Sequence, residues 1–268
     1  MANVHDWLSL TSPELDALSG ERCVAVFAVG AVEQHGPHLP LGTDTIIAEG
    51  LVDRALRRLN GAFDVVILPT QAIGESTEHT SFAGTLSHEA ESLLASWTEI
   101  GASLGRNGIF RLVIVNAHGG QPQIVDLVAQ RLRARLAMLV VRANYMGWSL
   151  PEGLIDADER DHGHHGGLCE TSIMLALRPE LVRMEQADDF ASNARLLAAN
   201  HKRFGHGGSL GFAWQVEDLN PLGVVGNAAG ATAETGEALL DHHAERLATL
   251  IEDAAAFDRQ AAFGADGP

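Results

Sequence analysis

Glu33 and His35 stand two residues apart, so in extended chain a carboxylate and an imidazole point the same way and can clasp one metal ion or a close pair. Gly36, Pro37 and Pro40 then turn the chain tightly, and Asp44 follows at the start of a helical pattern, where it would serve equally well as an N-cap. A second polar cluster is Asn116-Ala117-His118-Gly119-Gly120, whose glycines let the backbone pass close to another group before Pro122 restarts a helix. A third is the loop Gly74-Glu75-Ser76-Thr77-Glu78-His79. Neutral imidazole and carboxylate are the ligands of borderline-hard divalent ions such as Zn, Mn or Fe. Covalent catalysis has little support: there is no Gly-x-Ser-x-Gly, and Cys169 sits in an apolar helix start where packing is the simpler reading. His162 and His164 follow the acidic run Glu152 to Asp161 and read as exposed or outer residues, while His243 falls on an apolar helix face and reads as core. His201 and His206 flank Lys202-Arg203, and Gly205 to Gly211 resembles a phosphate loop in composition only, without its strand or its Gly-Lys-Ser/Thr ending.

The elements that must position these residues are legible as an alternation. Four short, nearly continuous apolar runs, Val24–Val29, Val65–Leu68, Leu112–Val115 and Met138–Val141, read as strands covered on both faces. Between them lie helical patterns over Ile46–Leu59, Glu89–Gly105 and Gln123–Leu136, and a last one over Gly236–Phe257. Strand–helix alternation predicts a mostly parallel central sheet between helical layers, an α/β three-layer sandwich forming a single domain over 1–268. The polar clusters follow the strand ends, where open parallel sheets bind their ligands. The region 145–235 carries the weakest pattern.

Composition narrows the partners. The 268 residues hold 35 Asp and Glu against 18 Lys and Arg, a formal charge of −17, which disfavours nucleic acid and anionic membrane surfaces. Two cysteines, Cys23 and Cys169, make no disulfide scaffold, and no apolar run approaches a membrane span. No signal peptide is visible at the N-terminus, so the expectation is a soluble, cytoplasmic protein acting on a small molecule.

Glu33-Gln34-His35-Gly36-Pro37-His38-Leu39-Pro40-Leu41-Gly42-Thr43-Asp44 resembles the signature of the creatininase (creatinine amidohydrolase) family. Asn116-Ala117-His118-Gly119-Gly120 and His165-Gly166-Gly167-Leu168-Cys169-Glu170-Thr171-Ser172 resemble its second and third motifs, and the likeness runs from about residue 20 to 235. The resemblance implies a creatininase-like fold and a two-metal hydrolase. Glu33 and His118 would hold one ion and His35 the other, with Asp44 bridging and Glu170 either completing the second ion's ligands or acting as a base. Three carboxylates would then face two divalent ions that activate a shared water and polarise a carbonyl. His165 would move the proton that the leaving nitrogen needs, and Glu75, His79 and Trp148 are candidates for the substrate pocket. The implied activity is hydrolysis of an amide, cyclic amide or formamide of a small molecule. The alternatives are a metallopeptidase, a C–C ring hydrolase, or a non-catalytic ligand-binding relative. Creatininase carries a carboxylate where this chain has Gly120, which puts creatinine in doubt, while Ala83 and Gln121 depart from the family pattern in ways that bear on pocket shape. Members of the family assemble as hexamers, so a homo-oligomer is expected.

Overall fold

The computed structural model describes residues 2–18, 20, 22–201, 205–206 and 210–264; Lys202, Arg203 and the middle of the glycine-rich segment lie outside the described residues. At its centre are five parallel strands: β1 (Asn3–Asp6), β2 (Val24–Val29), β3 (Asp64–Ile67), β4 (Arg111–Asn116) and β5 (Leu139–Asn144), in the order β1-β3-β2-β4-β5. Every residue of β2 and β4 is buried, as continuous apolar runs require when both faces are covered. The strand period of two then divides β2 between two cores. Val24, Val26 and Ala28 face a layer made by α2 (Thr43–Leu56), α6 (Leu168–Leu177) and α9 (Ala233–Ala256). Ala25, Phe27 and Val29 face the opposite layer, α3 (Ala90–Arg106) and α4 (Pro122–Leu136). The three-layer α/β expectation is therefore met, with an all-parallel five-stranded sheet at its centre.

Boundaries shift by a few residues where polar side chains belong to an element. The predicted strand Leu112–Val115 extends to Arg111 and Asn116, and the helix expected from Ile46 begins at Thr43. β1 was not anticipated, because Asn-Val-His-Asp carries one apolar residue; it pairs with β3 at the sheet edge, where His5 Nε2 lies 3.1 Å from Asp64 Oδ1. The region 145–235 contains further short elements: α5 (Ala157–His162), α7 (Ala194–Asn200), α8 (Val216–Leu219), and an antiparallel pair formed by β6 (Asp189–Phe190) and β7 (Gly226–Asn227). The crossing of α6 and α9 is close enough to exclude a side chain at Gly236, whose Cβ would collide with the carbonyl of Ser172. None of the described helices is long and apolar enough to cross a membrane.

Candidate metal centre

β2 lies between β3 and β4, so the chain leaves β2 toward one side and later returns on the other. Such a reversal opens a crevice at the carboxyl ends of the strands. The loop after β2 carries Glu33 and His35 into it, and the loop after β4 carries His118. Asp44 is the second residue of α2 and Glu170 the third of α6, so both carboxylates sit in first helical turns, where the helix dipole favours negative charge. Asp44 does not cap its helix: Gly42 stands at the N-cap without a side-chain bond, and the Asp44 carboxylate turns to His35 and His118 instead.

All five of these side chains are buried and converge. His35 Nε2 lies 3.1 Å from Asp44 Oδ1, 3.9 Å from Glu33 Oε1 and 4.0 Å from Glu170 Oε2. His118 Nδ1 lies 3.2 Å from Glu33 Oε2 and 3.1 Å from Asp44 Oδ2. Backbone carbonyls fix the ring tautomers. His35 Nδ1–H donates to the carbonyl of Glu33 (3.1 Å), His118 Nε2–H to that of Glu75 (2.7 Å), and His165 Nε2–H to that of Gln34 (2.9 Å). A carbonyl only accepts, so in each neutral ring the remaining nitrogen carries a lone pair aimed at the carboxylates. Lone pairs facing carboxylate oxygens repel unless a cation or a proton lies between them. Glu33 Oε2 and Asp44 Oδ2 are moreover buried without a hydrogen-bond donor. This donor set fits divalent metal. The ligand atoms of Glu33, His35 and Asp44 lie within 4.8 Å of one another, as do those of His35, His165 and Glu170, and of Glu33, His79 and His165.

The titration behaviour says the same. Burial opposes charge on His35, yet Asp44, Glu170 and Glu33 raise it to about 10. Burial likewise opposes charge on His118, but Glu33 and Asp44 hold it well above the ordinary imidazole value. Burial alone would raise Asp44; the charge on His35, with help from His118, holds it below the usual carboxylate range. The metal-free cluster thus fills itself with protons where cations would bind. Burial, helped by Asp44 and Glu33, pushes Glu170 up to about 7. His165 moves the other way, kept neutral by burial and by the neighbouring His35 and His79.

Over the cluster opens a pocket of about 410 Å³ that includes Glu33, Asp44, His118, His165 and Glu170 in its lining. Of the three substrate-pocket candidates, only His79 lines it. Glu75 contributes its backbone carbonyl to His118, while its carboxylate accepts from the Thr77 N–H. Trp148 lines a neighbouring cavity of about 150 Å³ with Tyr145, Cys169 and His243; Glu170 and His164 border both spaces. His164, read from the sequence as an outer residue, is instead half-buried on the pocket wall and stacks on His206 at 4.8 Å. Cys169 packs against the core and burial pushes its thiol up to about 12, in keeping with a packing role, and His243 is buried. Glu78, from the third polar cluster, also lines the pocket. Its carboxylate occupies the space that a side chain on residue 120 would fill, since a Cβ on Gly120 would collide with it and with the His118 ring. Glu78 lies 3.6 Å from His118 Nε2, and burial raises it to about 7.

Comparison with known proteins places these residues in context. Residues 8–251 match the family model described as creatinine amidohydrolase. The chain is 36% identical to a mycofactocin precursor peptide peptidase of Mycobacterium ulcerans, over 78% of this chain and 76% of that protein. It is 30% identical to a creatinine amidohydrolase of Pseudomonas putida, over 67% of this chain and 74% of that one. Among solved structures, a creatininase described with Mn superposes with a TM-score of 0.77 at 26% identity, covering 94% of this chain and 98% of its own.

Proposed function

The chain belongs to the creatininase family of metal-dependent hydrolases, and from that premise we propose that it hydrolyses an amide bond of a peptide substrate. The observation that carries hydrolysis is the convergence of Glu33, Asp44, His118 and Glu170 at an open pocket, with His35 buried against them. The peptide reading is supported by the similarity to a peptidase at 36% identity, against 30% for a creatinine amidohydrolase. It displaces the expectation of a small-molecule amide, which remains the second reading.

In this proposal Glu33 and His118 would hold one divalent ion and His35 and Glu170 the other, with Asp44 serving both. Bound there, Mn, Zn or Fe would acidify a water and polarise the scissile carbonyl. The protein's own residues do the rest. His165 presents Nδ1 as a lone pair beside Glu33, at 3.8 Å from Oε1, so it can take a proton and pass it to the departing amine. Burial and the neighbouring His35 and His79 keep the ring neutral in the folded chain, so this lone pair is free. Met146, His164 and Trp214 border the open side and would meet the flanking parts of the substrate.

The test is hydrolysis of a panel of short peptides, cyclic amides and formamides by protein loaded with Mn²⁺ or Zn²⁺. Cleavage of peptides is expected; cleavage confined to cyclic amides or formamides would return the function to the second reading. Metal analysis should give close to two ions per chain.

A further inference from the structure

Gln34 lies between the two ligand candidates Glu33 and His35, and its side chain is held from both ends. Its Oε1 accepts from the N–H of Gly36 at 3.0 Å, and its Nε2 donates to the carbonyl of Gly223. The two backbone groups settle which end of the amide is oxygen and which is nitrogen. Gly223 is needed for this seat: it has φ +72°, and a Cβ there would come within 2.6 Å of Gln34 Oε1.

The second N–H of the same amide meets His79 Nδ1 at 2.8 Å. An amide nitrogen donates and does not accept, so Nδ1 is the acceptor nitrogen of His79 and the ring proton resides on Nε2. That Nε2–H faces Glu33 Oε1 at 3.4 Å. The backbone carbonyl of Gln34 imposes the same Nε2–H tautomer on His165 but with the ring turned round, so Nε2–H meets the carbonyl and bare Nδ1 meets Glu33 Oε1. The two rings stack with centroids 4.3 Å apart.

We propose that Gln34 is a positioning residue that sets His79 as a fixed hydrogen-bond donor and His165 as a fixed acceptor on the same side of the cluster. His79 therefore does not ligate metal, although its nitrogen lies close enough to Glu33 and His165 to do so. Ligation would require the proton on Nδ1, opposite an amide N–H that cannot accept it. Its role is to donate to Glu33 or to a substrate oxygen entering the pocket. The catalytic consequence rests on the hydrolase reading; the tautomer does not.

The test is the tautomer of His79 in protein labelled with ¹⁵N-histidine and loaded with Zn²⁺, read by long-range ¹H–¹⁵N correlation and assigned through contact of the ring with the Gln34 amide protons. The wild type is expected to show protonation at Nε2, with Nδ1 free of zinc. Protonation at Nδ1, or a zinc-bound His79, overturns the proposal whether or not any substrate is found. Gln34→Glu replaces the donor by an acceptor and should move the proton to Nδ1. It should also lower kcat at least tenfold on whichever amide the enzyme cleaves. Gln34→Glu with the Nε2–H tautomer retained contradicts the assignment, and a switched tautomer with unchanged kcat removes its catalytic role. Should Gln34→Glu fail to fold, the wild-type spectrum decides alone.

Discussion

At the scale of single residues the centre is an arrangement of lone pairs. Asp44 alone places one oxygen beside His35 and the other beside His118, so Asp44→Ala should strip both metals and bring activity to background. A full metal complement in Asp44→Ala would remove its shared role. The pH behaviour of the metal-free chain follows from His35 and His118, whose folded values lie above the ordinary imidazole value. A raised imidazole supports the fold fully below the unfolded value of about 6.5, and this support is lost as pH rises through the folded value, about 10 for His35. Metal replaces those protons. The thermal midpoint of metal-free protein should therefore fall between about pH 7 and pH 10, while that of loaded protein should not follow it; parallel curves would contradict the protonation scheme. Glu33, His35, Asp44 and His118 were legible because each belongs to a short local motif. Gln34 and Glu78 were not, since their significance depends on partners far along the chain, 45 residues away for His79 and 189 for Gly223.

At the scale of elements, the carboxylates depend on where helices begin. α2 and α6 present Asp44 and Glu170, and both pack against α9, which sets their spacing from behind the site. Gly236→Ala would press a methyl group into the Ser172 carbonyl at the α6–α9 crossing. The expected loss is about 1–3 kcal/mol, measured by denaturant unfolding. The loop before α6 has its own fastening. Buried Glu159 accepts from the N–H groups of Leu168 and Asn227 and fills the hollow between Gly163, Gly167 and Gly226. Glu159→Ala leaves two backbone donors without that acceptor and should cost about 2–3 kcal/mol, with weaker activity because His165 lies in the loop so held. An unaltered melting temperature would show that the loop is held by other means. The four predicted strands were readable as short apolar runs, continuous in the fully covered β2 and β4 and shorter in β3 and the edge strand β5. β1 is polar at an edge, and α6 is buried at Glu170, Thr171, Ser172, Ile173 and Met174 in succession, which erases the one-sided pattern that marks a helix.

At the scale of the molecule, a chain of formal charge −17 carries a centre whose buried carboxylates and imidazoles suit cations. Divalent ions should therefore arrive faster at low ionic strength. Their association rate with metal-free protein, followed by stopped flow, should fall as salt rises from about 0.01 to 0.15 M, across which the Debye length contracts from about 30 to 8 Å. A rate independent of salt would confine the acidity to the remote surface. The acidic run that ends in α5 is partly tied by local pairs, with Asp158 held by Arg195 and His162, which leaves it a structural as well as a solvating part.

The pocket has a floor and a roof drawn from different stretches of chain. The floor hangs on strand ends and helix starts of the central sandwich, whereas Met146, His164, Ala213 and Trp214 come from the short elements and loops of 145–235. Covalent continuity joins the two, but different packing holds each. Met146, Ala213 and Trp214 are not among the proposed donors, so substitutions there should reshape the pocket while leaving the donor set its residues. Exchange of the segment around Trp214 between relatives should carry substrate preference with it and leave the metal content as it was.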